Sequence, residues 1–232
     1  MRKLGCNNWK IGSGEALSKK IMLEIFKKKN DGFIVSTGMS TWSEISNNYQ
    51  FIKRKKDGNF AILQCTTEYP SNFKNIGLNV IKQMKKKFKC KIGLSDHSGS
   101  VFPSLAALSI GAQVIELHIC DSKKGHGPDN SSSITFNDLN FIVRARDAFF
   151  IMNKNPVNKN ILSFTQKKNR KIFSKSIALK NNLKKGEIIK SFNLTLKKPG
   201  TGLSEKMLKK IINKKAKKNL SSKRILRIND FE

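Results

Sequence analysis

An α/β chain built on a parallel sheet is what the sequence predicts, and three observations carry that expectation. Five short apolar runs alternate with helix-like stretches between Trp9 and Met152. Each run ends in small or polar residues able to do chemistry. Beyond Met152 the composition changes, first to "NKNPVNKN" and then to short alternating runs broken by Gly and Pro.

The first run, "WKIGSGE", ends at Glu15 and carries Lys10, Ser13 and two glycines. After it, "LSKKIMLEIFKKK" places Leu17, Ile21 and Ile25 on one helical face. "FIVSTGM" delivers Ser36 and Thr37 and is followed by "TWSEISNNYQFIKRKK". "FAILQCT" ends in Thr66 and Thr67, ahead of "NIGLNVIKQMKKKF". "KIGLSDH" ends in Ser95, Asp96 and His97, and "PSLAALSIGA" follows. "QVIELHI" brings Glu116 and His118, with "FNDLNFIVRARDAFFIM" as the closing helix. In an open doubly wound sheet ligands collect only at a switch point, whereas a (β/α)8 barrel gathers every strand's carboxyl end at one mouth. Five chemistry-bearing ends therefore favour the barrel. Residues 1–153 are expected to belong to it, 154–168 to form a linker, and 169–232 to form a small β-rich domain.

The 232 residues carry 46 Lys+Arg against 16 Asp+Glu, a net charge of +30. The lysines are spread over every expected helix and seldom alternate with aromatics, so solvated helix faces explain them better than a nucleic-acid surface. No apolar run approaches the ~20 residues of a membrane span, and the start lacks the apolar stretch of a secretion signal. A cytoplasmic protein without a membrane partner is expected. Cys6, Cys65, Cys90 and Cys120 match no metal-binding spacing and are expected to be reduced, with Cys65 and Cys120 packing inside apolar runs.

His97 and His118 are two of three histidines, both at strand ends beside Asp96 and Glu116. Imidazoles with carboxylates nearby suit a first-row divalent ion, the acids serving as ligands or orienters. "KIGSGE" can present a lysine and backbone amides to an anion, or can be a plain tight turn. "GHGPD", with His126 and Asp129, reads equally as a substrate-touching loop or as a turn.

Taken in order, "KIGSGE", "STGMST", "QCTTEYP", "GLSDHS", "VIELH" and "GPD" resemble the sialic acid synthase family, which includes the N-acetylneuraminate, legionaminate and pseudaminate synthases. The tail "LKKGEIIKSFNLTLKKPGTG" resembles that family's C-terminal antifreeze-like (SAF) domain. The resemblance implies a TIM barrel joined to a module that reaches over the partner's site in a homodimer. It implies condensation of phosphoenolpyruvate with an N-acylmannosamine-like sugar, giving a nonulosonic acid and phosphate for surface carbohydrate, with Mn2+, or alternatively Mg2+ or Co2+. It would make His97 and His118 metal ligands and put Glu15 near the metal through water. Lys10, Ser13, Ser36 and Ser95 would hold phosphoenolpyruvate, and Tyr69 and Asp129 would touch the amino sugar. Two departures stand out. Thr67 replaces an asparagine that contacts phosphate in several members, and Lys198 replaces the arginine of the SAF loop, keeping charge but losing the bidentate fork.

A full (β/α)8 barrel takes ~250 residues. The first strand here resembles the family's fourth, so about strands 4 to 8 are expected, with two open edges. The chain is then expected to act with a complementing front-half chain, or else to be an inactive relic or a basic module binding an acidic polymer.

Overall fold

The computed structural model describes residues 1–28, 30–55 and 60–232, so the expected helix ends at Lys29 and Lys56 lie outside the described residues. The chain divides into two compact units, 1–156 and 157–232.

The first unit is one parallel sheet of six strands in sequence order. The strands are β1 (Asn8–Ile11), β2 (Gly32–Ser36), β3 (Phe60–Cys65), β4 (Lys91–Asp96), β5 (Val114–Cys120) and β6 (Ser133–Thr135). Sequential parallel order without reversal is barrel topology rather than doubly wound. The sixth strand was not among the five expected, since three residues, "SIT", are too few to show a period. Helices α1 (Lys19–Phe26), α2 (Trp42–Lys55), α3 (Leu78–Lys87), α4 (Phe102–Ser109) and α5 (Phe136–Lys154) alternate with the strands.

Helices α1 and α5 start where a side chain can satisfy their free amides. Ser18 accepts from the Ile21 amide to open α1. Thr135 and Asp138 form a reciprocal capping box at α5. The buried face of α1 differs from the expected one: Met22 is 0% exposed and Ile25 is buried, whereas Leu17 and Ile21 are 48% and 39% exposed. Leu17 precedes the Ser18 cap, so the helix begins later than the apolar spacing implied and its phase is set by Met22.

Strand register separates the two sheet faces, because side chains alternate along a strand. Ile11, Val35, Ile62 and Ile92 are register partners and belong to one buried cluster with Met22, Ile52, Ile81 and Met84 from the helices. The opposite parity holds Ser36, Leu63, Gly93 and Val114 at one level and Cys65, Ser95 and Glu116 at the next. Lys10 on β1 is ion-paired with Glu116 on β5 at 2.6 Å. Four strand spacings of ~4.8 Å would hold these strands about 19 Å apart in a flat sheet. The sheet therefore curls, with Lys10 and Glu116 on its inner face.

The second unit contains α6 (Phe164–Phe173), the antiparallel pair β7 (Ser176–Leu179) and β8 (Leu194–Lys197), and the short α7 (Leu208–Ile211). Its core gathers Ile177, Leu179, Ile189, Leu220 and Leu226. Helix α6 crosses the expected boundary between linker and second domain. Its start is a capping box of Ser163 and Gln166, a signal present in "SFTQ". Among the described residues no helix is long and apolar enough to cross a membrane.

Candidate active site on the inner face of the sheet

Glu116 is the hub of the lower level. Lys10 donates to both of its carboxylate oxygens at 2.6 Å, and Ser36 Oγ donates to Oε2 at 3.4 Å. Burial pushes the Glu116 carboxyl up, but the Lys10 ammonium and the Ser95 hydroxyl outweigh it and hold the group below its ordinary value. Glu116 is therefore anionic at neutral pH. Sequence reasoning had placed this acid beside the metal, and the structure instead gives it to Lys10. The period-2 pattern of "VIELH" was the available signal, since it puts Glu116 and His118 on one face.

The two imidazoles stand at the carboxyl ends of β4 and β5, with ring centroids 5.1 Å apart. His97 Nδ1 lies 2.9 Å from the Thr66 carbonyl oxygen, which can only accept. Nδ1 therefore carries a proton, and Nε2 has the Tyr69 hydroxyl 3.3 Å away. Tyr69 stacks on His97 at 4.2 Å between centroids and meets His118 edge-on at 5.7 Å. Burial, then the charges of Cys65, Asp129 and Glu116, push the Tyr69 phenol up, so it stays a neutral donor. His118 Nδ1 faces Asp129 Oδ2 at 3.7 Å.

The glycine-rich turn supplies the remaining contacts. Ser13 Oγ accepts from the Gly38 amide at 3.0 Å and lies 3.4 Å from Cys65 Sγ. A methyl group added at Gly38 would strike Thr67 Oγ1, Ser13 Oγ and Cys65 Sγ, so Gly38 lets these three close together. Cys65, expected to be simple packing, lines this cluster.

Two acids fall elsewhere. Asp96, expected beside the metal, is 2% exposed and accepts from the Ser98 amide and hydroxyl, both at 3.0 Å. Its carboxyl is pushed up by burial against the pull of Ser98. The same alternation that puts Ser95 and His97 on the inner face turns Asp96 away. Glu15 stands exposed in the turn after β1 and joins no cluster with the imidazoles.

A divalent ion would find two nitrogen donors here, His97 and His118. Their spacing fits such an ion, with the Tyr69 hydroxyl at His97 Nε2 giving way to it. Among the described residues no group of three His, Cys, Asp or Glu forms a ready metal cage, so further ligands would be water or substrate. Lys198 lies in the second unit, with Nζ 5.6 Å from the centre of the Phe173 ring.

The NeuB family profile matches residues 1–156 and the SAF domain profile matches 174–232. The N,N'-diacetyllegionaminic acid synthase of Campylobacter jejuni is 33% identical over 98% of this chain and 68% of its own length. The pseudaminic acid synthase of Campylobacter jejuni is 32% identical over 96% of this chain and 64% of its own. The solved N-acetylneuraminic acid synthetase of Leptospira borgpetersenii superposes with a TM-score of 0.63 at 25% identity, covering 72% of this chain and 57% of that one. The chain thus spans about two thirds of the length of the curated relatives it matches. With its inner-face motifs and both profiles in register, the chain belongs to the NeuB family and carries a SAF domain.

Proposed function

We propose that the inner face of the sheet is part of a site condensing phosphoenolpyruvate with an N-acylated amino-sugar aldehyde to give a nonulosonic acid and phosphate. The array of Lys10, Ser36, Ser95 and Glu116 beside two neighbouring imidazoles is the observation that carries this reading.

Lys10 supplies the charge for the phosphate or carboxylate. An ammonium has three protons and Glu116 can take at most two, so one remains for the substrate. Glu116 holds the lysine in place, and Ser36 and Ser95, whose single hydroxyl protons go to Glu116 here, would turn them to the anion when it binds. Ser13 and Thr67 border the same glycine-lined turn. His97 and His118 would hold a divalent ion, Mn2+ first among the options, which when bound polarises an aldehyde oxygen. Tyr69 and Asp129, beside the imidazoles, would contact the sugar. In the balanced reaction, C3 of phosphoenolpyruvate bonds to the aldehyde carbon. Water adds at C2, and phosphate leaves with the bond from C2 to its bridging oxygen.

Phosphate release should be followed with phosphoenolpyruvate, Mn2+ and N-acetylmannosamine, with the chain alone and with the N-terminal third of the Campylobacter jejuni legionaminic acid synthase added. Release in either mixture that disappears with Lys10→Ala supports the reading. No release in both, across the N-acylated sugars of the relatives, sinks it.

A further inference from the structure

Away from the sheet, a cavity of about 750 Å³ lies wholly within the second unit, between α6 and the loop carrying Gly200, Gly202 and Ser204. Five cations line it: Lys167, Lys168, Arg170, Lys171 and Lys175. Among the described residues no carboxylate lines it, and none of the five takes part in an ion pair. Leu162 and Phe164 supply an apolar wall.

Helix α6 is exposed along its length but touches this loop near its C-terminal end. The Gly200 amide donates to the Lys171 carbonyl at 2.7 Å. A methyl group at Gly200 would come within 2.6 Å of Ser174 Cβ, so the close approach of loop and helix requires glycine there. Arg170 and Lys171 near the C-terminal end of α6 complement the helix dipole, which accounts for two of the cations. It does not account for five around one cavity. Charges confined within a Debye length of ~8 Å repel each other, and an anion seated among them relieves that repulsion.

We propose that this cavity binds a small amphipathic organic anion, its phosphate or carboxylate against the cations and its apolar body against Leu162 and Phe164. A solvated basic helix face would bind simple anions weakly and without regard to their apolar part. A built site should prefer an anion that also has a hydrophobic body. The cavity is lined by residues of the second unit alone, so the inference does not rest on the proposed condensation.

Phenyl phosphate, inorganic phosphate and benzyl alcohol serve as probes, titrated into the full chain at constant ionic strength by calorimetry. Phenyl phosphate should bind once per chain, at least tenfold tighter than inorganic phosphate, with benzyl alcohol not detected. The double variant Lys168→Ala with Lys171→Ala should weaken phenyl phosphate tenfold or more, while Lys82→Ala with Lys86→Ala on α3 leaves it unchanged. Phe164→Ser should remove the preference over inorganic phosphate, and circular dichroism should show every variant folded. Equal affinity for the two phosphates, equal losses in the two lysine pairs, or a preference that survives Phe164→Ser would each overturn the proposal. So would tighter, steeply salt-dependent binding of a dT oligonucleotide that displaces phenyl phosphate, which would make the face a polymer surface.

Discussion

Gly93→Ala tests how tightly the sheet supports the candidate site. Gly93 lies on β4 at the level of Leu63 and Val114, one step below Ser95 and Glu116. A methyl group there would overlap the Val114 carbonyl oxygen and come within 2.6 Å of Leu63 Cδ2. The leucine tip can rotate away, but the carbonyl belongs to the backbone of β5. Relief therefore requires β4 and β5 to separate, straining the ladder that sets Ser95 beside Glu116. Overpacking a well-packed site costs about 1–3 kcal/mol, and a backbone collision belongs at the upper end, about 3 kcal/mol. Trp9 and Trp42, the only two tryptophans, both lie in the first unit, so their fluorescence in a urea titration reports that unit alone. Gly127→Ala is the control, because its added methyl meets nothing within 4 Å. A Gly93→Ala loss below 1 kcal/mol, or one matched by Gly127→Ala, would refute the reasoning.

Three further outcomes are expected. Asp230 is buried and accepts from Arg224 at 2.5 Å and from the Arg227 amide at 2.7 Å, with Lys218 at 3.3 Å. Burial raises its carboxyl, but these donors outweigh burial and hold it below the ordinary 3.8. The second unit therefore keeps this contribution above pH 3.8 and loses it as pH falls through the lower folded value. Asp230→Ala should cost about 2 kcal/mol at pH 7 by hydrogen exchange of the Ile177 and Leu226 amides, and much less below pH 3; an equal cost at both pH values would contradict this assignment. Burial pushes the Cys90 thiol up to about 12, so at pH 8 the folded chain should leave Cys90 unmodified by iodoacetamide in peptide mass mapping, whereas the urea-unfolded chain reacts. Mn2+ titrated by its free-ion spin-resonance signal should be bound by the chain, and His97→Asn with His118→Asn should weaken that binding tenfold or more. Unchanged binding in this double variant would move the ion elsewhere.

The alternation of strand and helix was legible in the sequence because each run is short, apolar and closed by small or polar residues. The parallel sheet followed from it, and so did the placement of Lys10, Ser36, Ser95 and His97 at strand ends. Local patterns carry these features because they depend on propensity and periodicity within a few residues. Phase was less legible: Leu17 and Ile21 matched the helical spacing, but the Ser18 cap started α1 later and turned Met22 inward. The partner of each acid was decided by tertiary structure. Asp96 is next to His97 and Glu116 is two residues before His118, so alternation along the strand separates their faces. Strand parity turns one away to cap a turn through Ser98. The curl of the sheet brings the other to a lysine 106 residues away. Likewise nothing local foretells that α6 would close a cationic cavity with a glycine loop, because that loop lies roughly thirty residues further along the chain. Sequence determined which groups stand at the sheet's carboxyl ends. Curvature and long-range packing decided which of them meet, since distances between strands that are not neighbours are fixed only once the sheet has curled.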